Sequence, residues 1–390
     1  MADGSGDQAV LARTITGLDE IDRTTWDALA NPSDVPFNPF VSYDFLHALE
    51  ASDSVGKSTG WTPLHVILEK EERPIAVAPF YAKGHSQGEY IFDHHWADAY
   101  MRAGGEYYPK LLCAAPFTPA NGPRLLASDP ATKKMLAAAL KGVGDKFGVS
   151  SVHVNFVIDD DIQALEAAGY LTRTSSQYHW YNKNYQSFDD FLSVLSSRKR
   201  KAIRRERRQA SQSDFVIRQI SGTDMTPLHW DAFWTFYQDT GARKWGTPYL
   251  TRSFFDIVAE TMGEEILFIV AERDGQPIAG ALNFIGGDTL YGRYWGCTEH
   301  HAFLHFEICY YQAIDFAIAN NLHCVEAGAQ GEHKLARGYE PVTTISAHWI
   351  ADPGFRTAIE NYLQEERHHS EAEIKALKDF TPFKKRNPNE

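Results

Sequence analysis

Glu326, Gln330, His333, Lys334 and Arg337 fall within one short segment, CVEAGAQGEHKLARGYEP (residues 324–341), around three glycines. Such residue types can remove a proton beside an oxygen that is gaining charge. The Glu326 carboxylate or the His333 imidazole can take the proton. The Gln330 amide and the backbone N–H groups of Gly328, Ala329 and Gly331 can donate to the oxygen, because glycine lets the backbone approach closely. A plainer account is also open: GEHKLARGY can be a polar helical turn with a glycine cap, Glu332 and Lys334 facing water.

The elements around this segment follow from apolar periodicity and turn residues. FVIRQI reads as a strand, and LHWDAFWTFY and TRSFFDIVAE read as helices. EILFIVAERDGQPIAGALNFIGGDTLYGRYWG reads as three strands joined by Asp-Gly and Gly-Gly-Asp turns. HFEICYYQAIDFAIANN keeps an apolar helical face, HCVEA is a buried strand, a short helix precedes Gly338, and TTISAHWI is a further strand. Arg293 and Trp295 flank Tyr294, so alternation puts them on one face; Arg293 is a candidate contact for a phosphate or carboxylate, or one half of an ordinary surface pair. Glu307 opens a helix, as a substrate contact or simply as an acid at a positive N-terminus. His300, His301, His305 and Glu307 have metal-ligand chemistry but form no complete motif such as HExxH, so no metal site is expected.

The same order of elements occurs twice. Ile15-Thr16-Gly17-Leu18-Asp19 with Trp26-Asp27-Ala28-Leu29 returns as Ile220-Ser221-Gly222-Thr223-Asp224 with Trp230-Asp231-Ala232-Phe233. Pro39-Phe40, Pro74-Ile75-Ala76 and Gly169-Tyr170 have counterparts in Pro248-Tyr249, Pro277-Ile278-Ala279 and Gly338-Tyr339. The last two pairs are offset by different distances, so the first copy carries about 34 extra residues. This insertion, about 96–130, is rich in Tyr, Pro and Gly, a composition suited to a long binding loop. Tyr107 and Tyr108 are candidate substrate walls, and Lys110 and Arg124 candidate contacts to an anionic part; holding the two copies together is the alternative. Two mixed α/β domains are expected, 1–182 and 183–390, which suits a chain of 390 residues, 43% of them apolar.

Net charge is −13, yet residues 198–208, RKRKAIRRERR, hold eight cations in eleven positions. Ser187 and Asp190 form a capping-box-like start to a helix of about 187–211. Arg200, Arg204, Arg205 and Arg208 are candidate phosphate or nucleic-acid contacts, with Arg243 and Lys244 of TGARKWG as a second anion contact; a solvated helix balancing the acidic remainder is the bland reading. No apolar run reaches a membrane span and no basic-then-apolar leader opens the chain, so a cytoplasmic location is expected. Cys113, Cys297, Cys309 and Cys324 are widely spaced, which favours reduced thiols. Cys297 and Cys324 show no base beside them, so no thiol nucleophile is expected.

The three-strand meander followed by helix and strand resembles the GNAT N-acyltransferase fold, and its duplication resembles the Fem-type aminoacyltransferases. YYPKL, PFTPANGPRLL, HFEICYY and EAGAQGEHKLARGYEP narrow the resemblance to the FemAB-like N-acyltransferases. The resemblance implies an α/β (α+β) protein of two tandem GNAT-like domains, each a mixed sheet flanked by helices. It implies transfer of an acyl or aminoacyl group to a small-molecule or peptide amine, without a covalent enzyme intermediate. Glu326, Gln330 and His333 then become catalytic candidates, and Tyr107, Tyr108, Lys110, Arg124, Arg293, Trp295, Glu307 and Lys334 substrate contacts. No tightly bound cofactor is expected. The donor, charged tRNA or acyl-CoA, stays open: GCTEHHAFLHFE stands where acetyl-CoA enzymes carry a glycine-rich pyrophosphate loop. A non-catalytic GNAT-like protein that binds a phosphate-bearing ligand or a partner is the rival expectation.

Overall fold

A computed structural model of the chain describes residues 9–384 except 213, 246, 329 and 330; the side chains of 242–245, 332 and 379 lie outside that description. Two compact units emerge, Met1–Ser175 with Thr344–His368, and Ser176–Thr343 with His369–Glu390. This division differs from a single boundary at 182. Strand Leu171–Tyr181 starts in the first unit and ends in the second, and strand Glu340–Ile350 runs back.

The meander of the second unit is Ile266–Arg273, Gln276–Ile285 and Thr289–Cys297, with Val216–Ser221 antiparallel to its first strand. Residues 266–272 are all buried. That explains why ILFIVA shows no alternation, since a strand covered on both faces has no polar side. Asp274 and Gly275 turn the first hairpin with φ of 50° and 75°, the pair of positive values that matches the twist of the flanking strands. On one face, Phe233, Tyr237 and Phe255 from helices Pro227–Trp245 and Arg252–Thr261 surround the Tyr294 ring. Gly296 permits that contact, because a Cβ there would lie 2.3 Å from the Phe236 carbonyl oxygen. A second core, including Trp180, Phe191, Ile203, Ile308, Ile314, Val325 and Tyr339, covers the other face.

The expected single helix over 187–211 is two helices, Phe188–Ser193 and Ser197–Ser211. Leu195 causes the break: it is buried and bridges to Phe383, while Ser196 N–H donates to the Pro382 carbonyl at 2.8 Å. Arg200 reaches back to the Ser193 and Leu195 carbonyls at 3.4 and 3.5 Å, satisfying part of the exposed helix end.

In the first unit, His65–Lys70 and Arg73–Ala78 pair antiparallel, with Leu11–Ile15 and Leu126–Ala127 outside them. Phe80–Lys83 pairs with Lys110–Cys113, which runs parallel to Ser151–Val157. Among the described residues, no helix is long and apolar enough to cross a membrane, and no group of three or more His, Cys, Asp or Glu is placed to hold a metal ion.

Candidate functional site

Strand Thr289–Cys297 lies parallel to Cys324–Glu326, and the pairing ends at Tyr291 opposite Glu326. The longer strand continues for six residues while the shorter one gives way to a loop. The ladder between the two strands therefore ends at Glu326. Glu326 is mostly buried, and His179 on the neighbouring antiparallel strand faces it, Nε2 to Oε1 3.9 Å. Burial, reinforced by the Lys334 charge, lowers His179 to about 4. It is therefore neutral at physiological pH, and its Nε2 also lies 3.2 Å from the Gln177 amide oxygen. Tyr291 stays a phenol, because burial and the Glu326 charge push its pKa up.

Beyond the parting point, residues 332–337 form a 3-10 turn closed by Gly338 in the left-handed region, φ 93°. A Cβ at Gly338 would meet the Phe191 ring at 2.5 Å. Lys334 is buried and donates to the Gly328 carbonyl at 2.8 Å, so it staples the loop rather than facing water. His333 is exposed, and its Nε2 lies 2.8 Å from the Tyr310 hydroxyl. His305 and Phe306 close the ring cluster around it, with Trp295 against His305 at 5.1 Å. Gln330 lies outside the described residues.

Tyr310 and its neighbour Tyr311 belong to a π-helical turn, Glu307–Tyr311. One extra residue in a helical turn re-phases the side chains, so consecutive tyrosines both point inward: Tyr310 to His333, Tyr311 to Glu206. Sequence reading misses both, since a regular helical period assigns adjacent residues to different directions.

Several expected ligand contacts are engaged elsewhere. Glu307 is buried and receives two bonds from Arg207, at 2.9 and 3.2 Å, and one from Gln312 at 2.8 Å, which makes it a packing anchor. A β-bulge at Arg293 interrupts the alternation that would align it with Trp295, and its guanidinium lies 5.5 Å from the Tyr294 ring centroid. Arg204 pairs with Asp189 at 2.8 Å, and Arg200 caps the preceding helix. Arg205 and Arg208 remain exposed, together with Arg198 and Lys201, and these four make no ion pair among the described residues. Their spacing of three, four and three puts them in one row about 15 Å long. Arg243 and Lys244 sit at the end of helix Pro227–Trp245, their side chains outside the description. Cys297 does have a base nearby, His300 Nδ1 at 3.7 Å, which its sequence spacing conceals; burial pushes the Cys324 thiol up and out of use.

In the first unit the inserted strand Lys110–Cys113 takes the parallel place beside Ser151–Val157, with Leu111 opposite Val152. Lys110, wholly buried, donates to Ser86 and Glu89 at 2.8 Å and pairs with Asp93 at 2.5 Å. Tyr107 is buried with its hydroxyl on Asp93, while the half-buried Tyr108 meets Ser86 at 2.8 Å. Arg124 donates to the Asn155 and Ala120 carbonyls, and Gly122 N–H to that of Phe156. The substrate-contact expectation for Lys110 and Arg124 therefore gives way to an internal role: Lys110 sits in a buried carboxylate cluster, and Arg124 lies along the end of strand Ser151–Val157. Twelve residues ahead of Gly338 stands Glu326; twelve ahead of Gly169 stands Val157. Lys110→Ala would leave Glu89 and Asp93 without their shared cation, and a loss of about 3–5 kcal/mol from urea unfolding is expected.

Residues 17–385 match the model of the FemAB-like family, described by peptidoglycan biosynthesis and recognition. No curated protein sequence matches the chain. The crystal structure of FemX is similar in fold at 12% identity, with a TM-score of 0.54 over 87% of this chain and 98% of its own. A conserved protein of unknown function from Bacteroides thetaiotaomicron is similar at 12% identity, with a TM-score of 0.52 over 88% of this chain and 100% of its own.

Proposed function

The chain belongs to the FemAB-like family, and from that premise we propose that its second unit transfers an acyl or aminoacyl group from an activated donor to an amine. The end of the parallel pairing at Glu326 carries the reading, because it leaves a carboxylate at a strand end beside the longer strand. The amine nitrogen attacks the acyl carbonyl carbon and a C–N bond forms. Glu326 takes the proton that the nitrogen loses, with His333 as the second candidate base, supported by Tyr310. The C–O bond of an aminoacyl ester, or the C–S bond of a thioester, then breaks, and the proton passes to the leaving oxygen or sulfur. The N–H groups of Gly328 and Gly331 are the proposed donors to the intermediate's oxygen.

Charged tRNA is the preferred donor. The row Arg198, Lys201, Arg205 and Arg208 suits a polyphosphate strand, and the sequence GCTEHHAFLHFE lacks the glycine-rich loop of acetyl-CoA enzymes. The family's description by peptidoglycan supports an amine on the peptide of a cell-wall precursor as acceptor. Incubation of the protein with peptide amines and either charged tRNA or acyl-CoA, followed by mass spectrometry, tests this. An acceptor heavier by one aminoacyl group, with tRNA only, is expected. Transfer from acyl-CoA alone would reverse the donor preference, and unmodified acceptors throughout would favour a non-catalytic binding protein.

A further inference from the structure

Glu206 is the one acid among the eight cations of helix Ser197–Ser211, and it points into the unit rather than outward. We propose that Glu206 is a positioning residue of the transfer centre, acting through Arg337 to hold the turn that presents His333; the proposal rests on the reading of the site given above. One carboxylate oxygen, Oε2, accepts from Arg337 Nη2 at 2.9 Å and from the Tyr311 hydroxyl. Arg337 is buried, its guanidinium lies 3.4 Å from the centroid of the Phe306 ring, and its Nη1 donates to the His333 carbonyl at 2.8 Å.

A short chain of contacts results: helix carboxylate, buried guanidinium, His333 backbone. Among the described residues Glu206 is the one ion-pair partner of Arg337. Loss of that charge leaves a buried cation poorly compensated, so the guanidinium must move toward water and release the His333 carbonyl. The π-helical turn contributes from the other side. Tyr311 fixes the Glu206 oxygen while Tyr310 meets the His333 ring, so one short turn sets both ends of the chain. Arg207, next to Glu206, anchors the same helix to Glu307 and Asp315 at 2.9 and 2.6 Å. The helix itself therefore stays docked when Glu206 is changed, and the effect falls on the turn.

The test uses the full chain and a probe that needs no substrate. Diethyl pyrocarbonate modifies accessible neutral imidazoles, and peptide mass spectrometry reads His333 by itself, at a temperature well below unfolding. In Glu206→Gln, which keeps the shape and removes the charge, the modification rate of His333 is expected to rise about tenfold, equivalent to ~1.4 kcal/mol of lost clamping. Arg337→Lys keeps the cation but cannot bridge both partners, and a similar rise is expected. The double variant Glu206→Gln/Arg337→Lys is expected to add nothing beyond the larger single effect, because both act on one contact. Gln209→Ala, on the same helix, is expected to match wild type. An unchanged His333 rate in Glu206→Gln and Arg337→Lys, or full additivity in the double variant, overturns the proposal. If His333→Ala and Glu326→Gln both transfer at the wild-type rate, the reading of the site fails, while the modification rates still decide whether Glu206 holds the turn.

Discussion

Glu326→Gln is expected to slow transfer by about 10²–10⁴-fold, the usual contribution of a positioned general base, with thermal unfolding close to wild type. The small structural cost follows from the surroundings. Gln has nearly the same shape, and His179, which faces Glu326, is neutral, so the substitution breaks no ion pair with that imidazole. The strand on which Glu326 sits is fixed by its backbone pairing with Tyr291 on one side and His179 on the other, which the substitution leaves alone. Turnover measured with saturating acceptor gives the answer. A strongly destabilised Glu326→Gln would instead mark the carboxylate as a structural group, and a normal rate would remove it from the chemistry.

Replacing Arg198, Lys201, Arg205 and Arg208 together by Gln is the second large effect expected. All four are exposed, and Gln is nearly as good a helix former as Arg or Lys. The inward anchors Ile203, Glu206 and Arg207 stay in place. If the donor is charged tRNA, the slope of log affinity against log salt should become shallower by about 3, since each lost phosphate contact removes ~0.7–0.9 of a released counterion. Filter binding at several salt concentrations measures it. An unchanged slope would return the row to the role of a solvated face, leaving the transfer reading without its argument for tRNA.

Much of the second unit's fold is legible in its sequence, because its signals are local. Asp274-Gly275 marks its hairpin, ILFIVA its doubly covered strand, and CVE the short strand that ends at the proposed base. What escapes the sequence depends on phase. The eight cations of 198–208 read as one patch, yet helical rotation sends Arg207 inward to Glu307 and leaves four in an outward row. The single acid in that run was the available signal for an inward face. A bulge at Arg293 and a π-helical turn at Glu307–Tyr311 each shift the register by one residue, so Arg293 falls out of alternation and Tyr310 and Tyr311 enter the site together. Lys110 and Arg124 escape for another reason. A cation ahead of LLC is compatible with a loop contact or with a buried ion pair, and only the carboxylates of Glu89 and Asp93, distant in sequence, decide between them.

Photo-crosslinking asks whether transfer takes place at the end of strand Cys324–Glu326 in the second unit. The probe is an RNA minihelix carrying a photoreactive aminoacyl group through a stable amide at its 3′ end, with an acyl-CoA analogue bearing the same group in parallel. After irradiation and digestion, mass spectrometry identifies the labelled peptides. Attachment within 324–338 and along Arg293–Cys297, competed by unlabelled donor, is expected. Competed labelling confined to 110–127 and Ser151–Val157, with the second unit unlabelled, would contradict it.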